Sequence, residues 1–411
     1  MDNLSRSIFP LARDVTREQL RSLCQVMWQW ELCHDCKAAK DCGTASCPWQ
    51  QAPNLEAFFQ FYREVTASYV PERPMEGTRA LSSHDDLIAI ISTLKNCSQA
   101  HRHVLTRAHF AQRAEARAEQ CLPLPIDQDR AFSLAARVLA MVNSSAEHQA
   151  DGLLESGMLP LTWQDNRSFS DFMETAFPLQ GDEKGGRESP RQQLIPDQAN
   201  KWPKLTAKRL KKMAGLELVA TDNLQNHLRL DAKHKTVEIY HYTSVLKENL
   251  LSSVHCDSHD DTARGISEGN MPRELALETL ATIKEILFPL DADSQALLRT
   301  LVSKKSFDPD CLRVDTRPYR RPDDCKGAGA ATLPYRYWGA RLSDLCEHME
   351  TPTPSGHLER WMERRSGARH VMMATLGGVV LAVLLGAASL AVSIFQAWVG
   401  YQQWQHPVNP S

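Results

Sequence analysis

The sequence predicts a mainly α-helical protein with a small α+β unit near its middle and a single transmembrane helix near its C-terminus. Three observations support this prediction. Apolar residues recur at helical spacing through most of the chain, whereas the alternation typical of strands is confined to a short middle segment. The run 371–398 contains no Asp, Glu, Lys or Arg. It is longer than the roughly 20 residues that a bilayer-spanning helix needs.

Residues 1–179 form a predicted helical domain. Thr16 and Gln19 have the spacing of a capping box, which marks the start of a first helix. Later helices are predicted to begin at Asn54, at Ser83 and near Asp127, and the one from Ser83 extends to about Glu119. A short helix over 169–177 closes the domain, and no strand is predicted within it.

The middle of the chain has a different character. Residues 180–203 are rich in Gly, Pro and charged residues, which predicts a linker. Residues 204–252 then alternate as helix, strand, helix, strand and helix. This order predicts a small α+β unit that resembles a winged helix, an analogy that carries no function by itself. The central helix of the unit contains His227 next to Leu228.

The C-terminal part contains four predicted segments. Residues 253–350 are a mostly helical region with loops, including an amphipathic helix over 274–287. Residues 351–370 form a juxtamembrane amphipathic helix, 371–398 the transmembrane helix and 399–411 a short tail. A buried core helix is the alternative for 371–398, but a soluble helix of this length usually has a polar face.

Charges beside the span predict its orientation. Four arginines precede it, namely Arg360, Arg364, Arg365 and Arg369, and the tail 399–411 has no Lys or Arg. The positive-inside rule therefore places the N-terminal bulk in the cytosol. Residues 1–20 lack the apolar core of a signal sequence, so we expect a tail-anchored protein. The uncharged tail favours the endoplasmic reticulum or plasma membrane over the mitochondrial outer membrane.

Small residues form a stripe along the predicted span. Ala374, Gly378, Ala382 and Gly386 recur every four residues and therefore lie on one side of a helix. Such a stripe allows a second helix to approach closely, which predicts self-association in the membrane. The alternative is that the run is simply rich in Gly and Ala, as membrane helices often are.

Overall composition limits the classes of partner and site. The net charge of −3 gives no indication of nucleic-acid binding, so the expected partners are a membrane and other proteins. The 11 cysteines of a cytosolic chain are expected to be reduced, so they are core residues or metal ligands rather than disulfides.

The strongest chemical cluster is a cysteine-rich loop containing Cys33, Cys36, Cys42 and Cys47. The two residues between the first pair match a zinc site, but the other spacings match no standard zinc finger. A loop of reduced thiols is the simpler interpretation, and a structural Zn²⁺ held by all four thiolates is the alternative. Four protein ligands would leave no open position, so the ion would be structural rather than catalytic. No other cofactor is expected.

Histidines offer weaker candidates. His101, His103 and His109 make a second conceivable ligand set, but nearby arginines favour a solvated helix face. His227 and His241 with Asp222 are conceivable acid and base groups, and a structural histidine at position 227 is the simpler interpretation. The sequence contains no phosphate-binding loop, dinucleotide fingerprint, nucleophile elbow or zinc-protease motif.

Several blocks resemble a recurring family of uncharacterised proteins of filamentous fungi. They include LTAKRLKKMAGLELVATDNLQNHLRLD, VEIYHYTSVLKENLL, SFDPDCLR, RYWGARLSDLCEHMETPTP and GHLERWMERRSGARHVMMATL, and the similarity covers most of the chain from about residue 130. The resemblance implies one C-terminal membrane span and no established activity, so it assigns no catalytic residue.

The sequence therefore predicts a membrane-anchored cytosolic interaction or scaffold protein without catalytic residues. An unrecognised membrane-bound enzyme that uses the histidines of the middle unit is the alternative. A fungal signalling or self-recognition component is a further alternative that rests on analogy alone.

Overall fold

The structure of the protein is a computed structural model that describes residues 9–12, 14–38, 42–72, 78–119, 121–145, 161–179, 202, 205–253, 271–304, 306–320, 333, 335–350 and 369–405. By its contacts the chain divides into two compact units, Met1–Thr351 and Pro352–Ser411. The fold is mainly α-helical, as the sequence predicts.

Helices form the N-terminal part of the first unit. They are α1 (Arg17–Trp28), α2 (His34–Lys37), α3 (Glu56–Ala67), α4 (His84–Asn96), α5 (Arg102–Arg117), α6 (Pro125–Ala140) and α7 (Phe169–Ala176). Capping boxes begin α1 at Thr16, α4 at Ser83 and α7 at Ser168. The apolar stripes of these helices meet in one core. A parallel bridge of two-residue strands, β1 (Ser144–Ser145) and β2 (Leu161–Thr162), follows α6.

The sequence predicts one continuous helix from Ser83 to about Glu119, and this prediction is wrong. The structure has two helices here, α4 and α5, because hydrogen bonds from another segment interrupt the chain between them. Ser170 N donates to Ser98 O at 3.1 Å, and Arg102 N donates to Arg167 O at 3.0 Å. These bonds occupy backbone groups at the junction and tie it to α7.

Within the first unit, the predicted α+β segment contains the predicted small sheet, and we keep the name middle unit for this segment. Its elements are α8 (Ala207–Met213), β3 (Glu217–Thr221), β4 (Arg229–Asp231), β5 (Thr236–Tyr240) and α9 (Thr243–Ser252). Strand β5 lies in the centre, parallel to β3 and antiparallel to β4. The parallel pair distinguishes this sheet from a simple antiparallel wing.

The predicted central helix of this unit is also wrong. Only one 3₁₀ turn forms, at Leu224–Asn226. Leu228 then adopts a left-handed conformation with φ of 61°. Its N–H donates to Glu238 O of β5 at 2.8 Å. This N–H therefore bonds to the sheet and is not available for a helical hydrogen bond.

The last part of the first unit contains α10 (Arg273–Ala281), a π turn (Thr282–Leu287), α11 (Ala292–Ser303) and α12 (Gly339–Glu350). The predicted amphipathic helix over 274–287 corresponds to α10 and the π turn, but its polar residues reach solvent only near the two ends, at Glu274, Lys284 and Glu285. Residues 275–283 are all buried, which identifies α10 as a core helix. It packs against α9, and its buried Glu278 binds the backbone of 336–338.

The second unit contains one long helix, α13 (Arg369–Gln405). Its stretch Leu376–Gln402 is long and apolar enough to cross a membrane. Leu381, Leu385 and Phe395 are each 60% or more exposed on it. Residues 351–368, which the sequence predicts as most of a juxtamembrane helix, lie outside the described residues.

Candidate functional site

The four cysteines of the predicted metal site lie together in the first unit. The Sγ atoms of Cys33, Cys36, Cys42 and Cys47 are all within 4.8 Å of one another. Two of the separations are 3.8 Å for Cys33–Cys42 and 3.9 Å for Cys36–Cys47. All four are free thiols in the structure.

Local backbone structure brings these thiols together. Cys33 occupies the N-cap of α2 and Cys36 lies within its single turn, so both side chains point to the same side. Cys47 precedes a 3₁₀ helix, Pro48–Leu55, whose N-terminal proline helps to start the turn. The Cys33 N–H donates to Cys47 Sγ at 3.5 Å, which ties the two ends of the loop together.

The four sulfurs occupy unlike environments. Cys36 and Cys47 are buried, whereas Cys33 and Cys42 are partly exposed. A hydrogen bond from the Cys36 backbone lowers the pKa of Cys33 to about 6, and burial raises the pKa of Cys36 to about 12. The thiolate form is therefore favoured at the partly exposed Cys33 and disfavoured at the buried Cys36.

The cysteine loop packs against an aromatic cluster. Buried Arg21 donates from Nη1 to Cys36 O at 3.2 Å, and its guanidinium lies 5.3 Å from the centroid of Trp49. Trp49 stacks on Phe59 of α3 and contacts Trp30 edge to face. The loop is therefore attached to α1 and α3 through side chains that are themselves buried.

The three histidines of the second conceivable ligand set, His101, His103 and His109, are not grouped so that they could hold one metal ion. His101 and His103 are exposed at the start of α5, with ring centroids 6.0 Å apart. His109 instead forms a 3.0 Å hydrogen bond with Thr93, and burial lowers its pKa to about 4. The predicted solvated face applies to the first two histidines, but Arg102 between them is completely buried.

His227 is a structural histidine. Its ring is fully buried, and burial lowers its pKa. Nδ1 accepts the Tyr240 N–H at 3.2 Å, and Nε2 lies 2.7 Å from Thr282 Oγ1. Thr282 donates its own hydroxyl proton to Thr279 O, so Nε2 of His227 is the donor to Thr282. Both ring nitrogens are therefore occupied.

His241 lies at a groove but lacks a free basic nitrogen. Its Nδ1 accepts the Asp308 N–H at 3.0 Å, and its ring packs on Tyr242 with centroids 4.1 Å apart. Burial lowers its pKa to about 4, so the neutral ring carries its proton on Nε2. In this arrangement Nε2 can donate a hydrogen bond but cannot remove a proton.

The groove lies between α3 and the outer face of β3 and β5, with a volume of about 740 Å³. Its charged lining residues are Glu64, Arg137, Asp222 and Glu238. Arg137 pairs with Asp222 at 2.7 Å, whereas Glu64 is exposed and has no cationic partner among the described residues. Sequence reasoning missed this groove because its walls come from three distant parts of the chain.

The acidic character continues on the other side of His241. A second groove of about 540 Å³ shares Phe61, Glu64, His241 and Tyr242 with the first. Its other charged lining residues are Glu56, Asp308, Asp310 and Arg313. Hydrogen bonds from α9 satisfy both aspartates, and the one from Lys247 to Asp310 is also an ion pair. We refer to these two neighbouring spaces, whose linings share four residues, together as the acidic groove.

Comparison with known proteins gives no match to a protein-family model, a curated protein or a solved structure. The resemblance to a fungal family therefore stays a prediction, and function must be argued from the site and the helix α13.

Proposed function

We propose that the protein is a membrane-anchored interaction protein, held by α13 with its first unit on the cytosolic side. The observation that supports this proposal is the exposure of apolar side chains along Leu376–Gln402. Contact between apolar surface and water costs roughly 25 cal/mol per Å². A bilayer removes this cost, and the helix satisfies its own backbone hydrogen bonds within the hydrocarbon.

The orientation rests on charge. The arginines of 360–369 precede the span, and 399–411 carries no Lys or Arg. The positive-inside rule favours a cytosolic first unit. The same absence of basic residues after the span favours the endoplasmic reticulum or plasma membrane.

Three sequons test this orientation. They begin at Asn96, Asn143 and Asn166, and Asn96 and Asn166 are exposed on the first unit. A cytosolic first unit leaves all three unmodified. A glycosidase-sensitive decrease in mass of the chain made in eukaryotic cells would place the unit in the lumen and overturn the orientation.

The acidic groove defines the chemistry of the expected partner. The Glu64 carboxylate accepts a hydrogen bond from Gln60 but has no cationic partner among the described residues, so it attracts positive charge. Glu238, by contrast, lies 4.0 Å from Arg229. Val219 in the same groove is 41% exposed. A peptide segment that combines Lys or Arg with an apolar residue complements both features. We therefore propose that the protein docks a basic segment of a partner protein in this groove.

Catalysis by the middle-unit histidines has less support. His227 uses both ring nitrogens internally, and His241 uses its acceptor nitrogen on a backbone N–H. General base catalysis needs a free lone pair within reach of the substrate. No observation among the described residues favours the enzyme over the interaction protein.

Two measurements test the proposal. A fluorescent lysine-rich peptide with one leucine is titrated against the full-length chain in neutral detergent, and a glutamate-rich peptide serves as the ligand control. We expect only the basic peptide to bind, and we expect binding to weaken with salt. Glu64→Lys abolishes the binding, whereas Glu174→Lys, at another exposed position, preserves it.

The second measurement concerns the anchor. Proximity labelling in cells compares the full chain with one that ends at Arg369. Equal sets of labelled partners in both would refute a role for membrane placement. Equal binding of the basic peptide to wild type and Glu64→Lys would refute the groove as the docking site.

A further inference from the structure

We propose that Cys33, Cys36, Cys42 and Cys47 bind one Zn²⁺ ion, and that this ion is a structural component of the first unit. This inference is independent of the proposed function, because it rests only on the cysteine loop and its surroundings. It selects between the two interpretations that the sequence leaves open for this loop.

The distances between the sulfurs fit a tetrahedron around one ion. Zn–S bonds of about 2.3 Å place neighbouring sulfurs of a regular tetrahedron about 3.8 Å apart. The measured separations are 3.8 Å for Cys33–Cys42 and 3.9 Å for Cys36–Cys47. All pairs lie within 4.8 Å, so a single ion can reach all four sulfurs after small rotations of the side chains. Both measured separations are far longer than the S–S bond of about 2.05 Å in a disulfide, so neither pair is a disulfide.

The set of donors selects zinc over harder cations. Four thiolates in tetrahedral geometry are typical of zinc or iron and unsuited to magnesium or calcium. His34 is exposed and is not among the converging ligands. Binding replaces the S–H bonds of the protonated thiols with Zn–S bonds and releases their protons to solvent. Because the protein fills every position, no site is left for a water or substrate.

The surroundings compensate the negative charge of such a centre. A Zn²⁺ ion with four thiolates carries a net charge of −2. Buried Arg21 lies beside it, with Nη1 donating to Cys36 O at 3.2 Å. The Cys33 N–H already points at Cys47 Sγ, which is the kind of backbone donor that orients thiolate ligands.

The ion would determine the position of two tryptophans. Trp30 precedes the first ligand and Trp49 follows the last, and both rings are buried against each other. Helix α2 is a single turn of four residues, too short to be stable by itself. Zinc would therefore add four bonds to the contacts of Arg21 and Trp49 that attach this loop to α1 and α3.

The experiment measures metal content of the full-length chain purified in detergent with a reductant. We expect one zinc per chain by elemental analysis, and a shell of four sulfurs at about 2.3 Å by zinc X-ray absorption. Cys36→Ser and Cys47→Ser should lose most of the zinc. Cys97→Ser and Cys121→Ser are matched controls at exposed free thiols and should retain it.

Cobalt substitution keeps the test independent of folding defects in the variants. Wild-type protein stripped of zinc and titrated with Co²⁺ should show the intense ligand-field bands of a tetrahedral site at one equivalent. Purified protein with iron in place of zinc would overturn the assignment. So would intramolecular disulfides among the four cysteines in non-reducing mass spectrometry, or the absence of both zinc and tetrahedral cobalt.

Discussion

The indole N–H of Trp30 donates a hydrogen bond to Oε2 of Glu248 across 3.0 Å, and the two residues are 218 positions apart. Both side chains are buried. Trp30 lies beside the cysteine loop and Glu248 lies on α9, so this bond joins the helical part of the first unit to its α+β part. The segments that the sequence separates with a linker therefore share one core.

Trp30→Phe should destabilise the first unit in a pH-dependent way. Burial raises the pKa of Glu248, and the bond from Trp30 opposes that increase. Without the bond, the charged carboxylate is left with less compensation, which costs about 1–3 kcal/mol. The loss should be larger at pH 8 than at pH 5, because protonation at low pH removes the buried charge.

Thermal unfolding of the full chain in detergent checks this prediction, and Trp28→Phe is the matched control. Its indole nitrogen is buried without a hydrogen-bond partner among the described residues. The control should therefore show a packing effect that does not change with pH. An equal pH dependence in both variants would contradict the role assigned to the Trp30–Glu248 bond.

Glu278 should make stability decrease as pH rises. Its carboxylate accepts the backbone N–H groups of Arg336, Tyr337 and Trp338, but burial outweighs these bonds and raises its pKa to about 7. The native state therefore binds more protons than the unfolded state between the ordinary pKa of about 4.5 and about 7. Stability is highest below this window and falls across it, by up to about 3 kcal/mol.

Glu278→Gln should remove that decrease. Its stability relative to wild type should therefore rise with pH across this window, because the amide carries no buried charge. Urea titrations at several pH values provide the measurement. Glu274→Gln, one turn earlier and only partly buried, is the control and should keep the wild-type slope.

Arg102→Lys should destabilise the start of α5 by about 3 kcal/mol. The Arg102 guanidinium is fully buried, donates to Trp163 O at 2.9 Å and pairs with Asp129 at 3.1 Å. An ammonium cannot reproduce this planar arrangement of donors. Arg107→Lys on the exposed face of the same helix should change the melting temperature little, and a similar loss in both would contradict this account.

Gly378→Leu should weaken any pairing of α13 without preventing its insertion. Gly378, Ala382 and Gly386 are exposed, and a side chain added at Gly378 meets nothing within 4 Å in its own chain. The substituted helix is therefore unstrained, so an effect of the leucine on pairing comes from its contact with a partner helix. A helix-association reporter in a bilayer, combined with alkaline extraction, measures pairing and insertion separately.

Gly377→Leu is the control for this prediction, because it lies one residue off the stripe and is equally unobstructed. It should leave pairing unchanged. Loss of pairing in both variants, or in neither, would contradict a specific stripe of small residues.

The sequence by itself determined the features that depend on local pattern. Capping boxes at Thr16 and Ser83 mark real helix starts, because a cap is formed by residues within one turn. The apolar run of α13 needs no partner within the chain, so composition alone identifies a helix able to cross a membrane. The spacing of the four cysteines offered a metal site only as an alternative, and the structure is what brings their sulfurs within 4.8 Å of one another.

Only the tertiary structure decided the features that depend on distant contacts. Sheet hydrogen bonds replaced a helix at Leu228, the surrounding elements buried residues 275–281 of α10, and three separate segments formed the first of the two spaces of the acidic groove. The roles of His227 and His241 followed from their partners, which lie up to 67 residues away. Local sequence cannot encode these outcomes, because the free energy of each comes from groups that folding alone brings into contact.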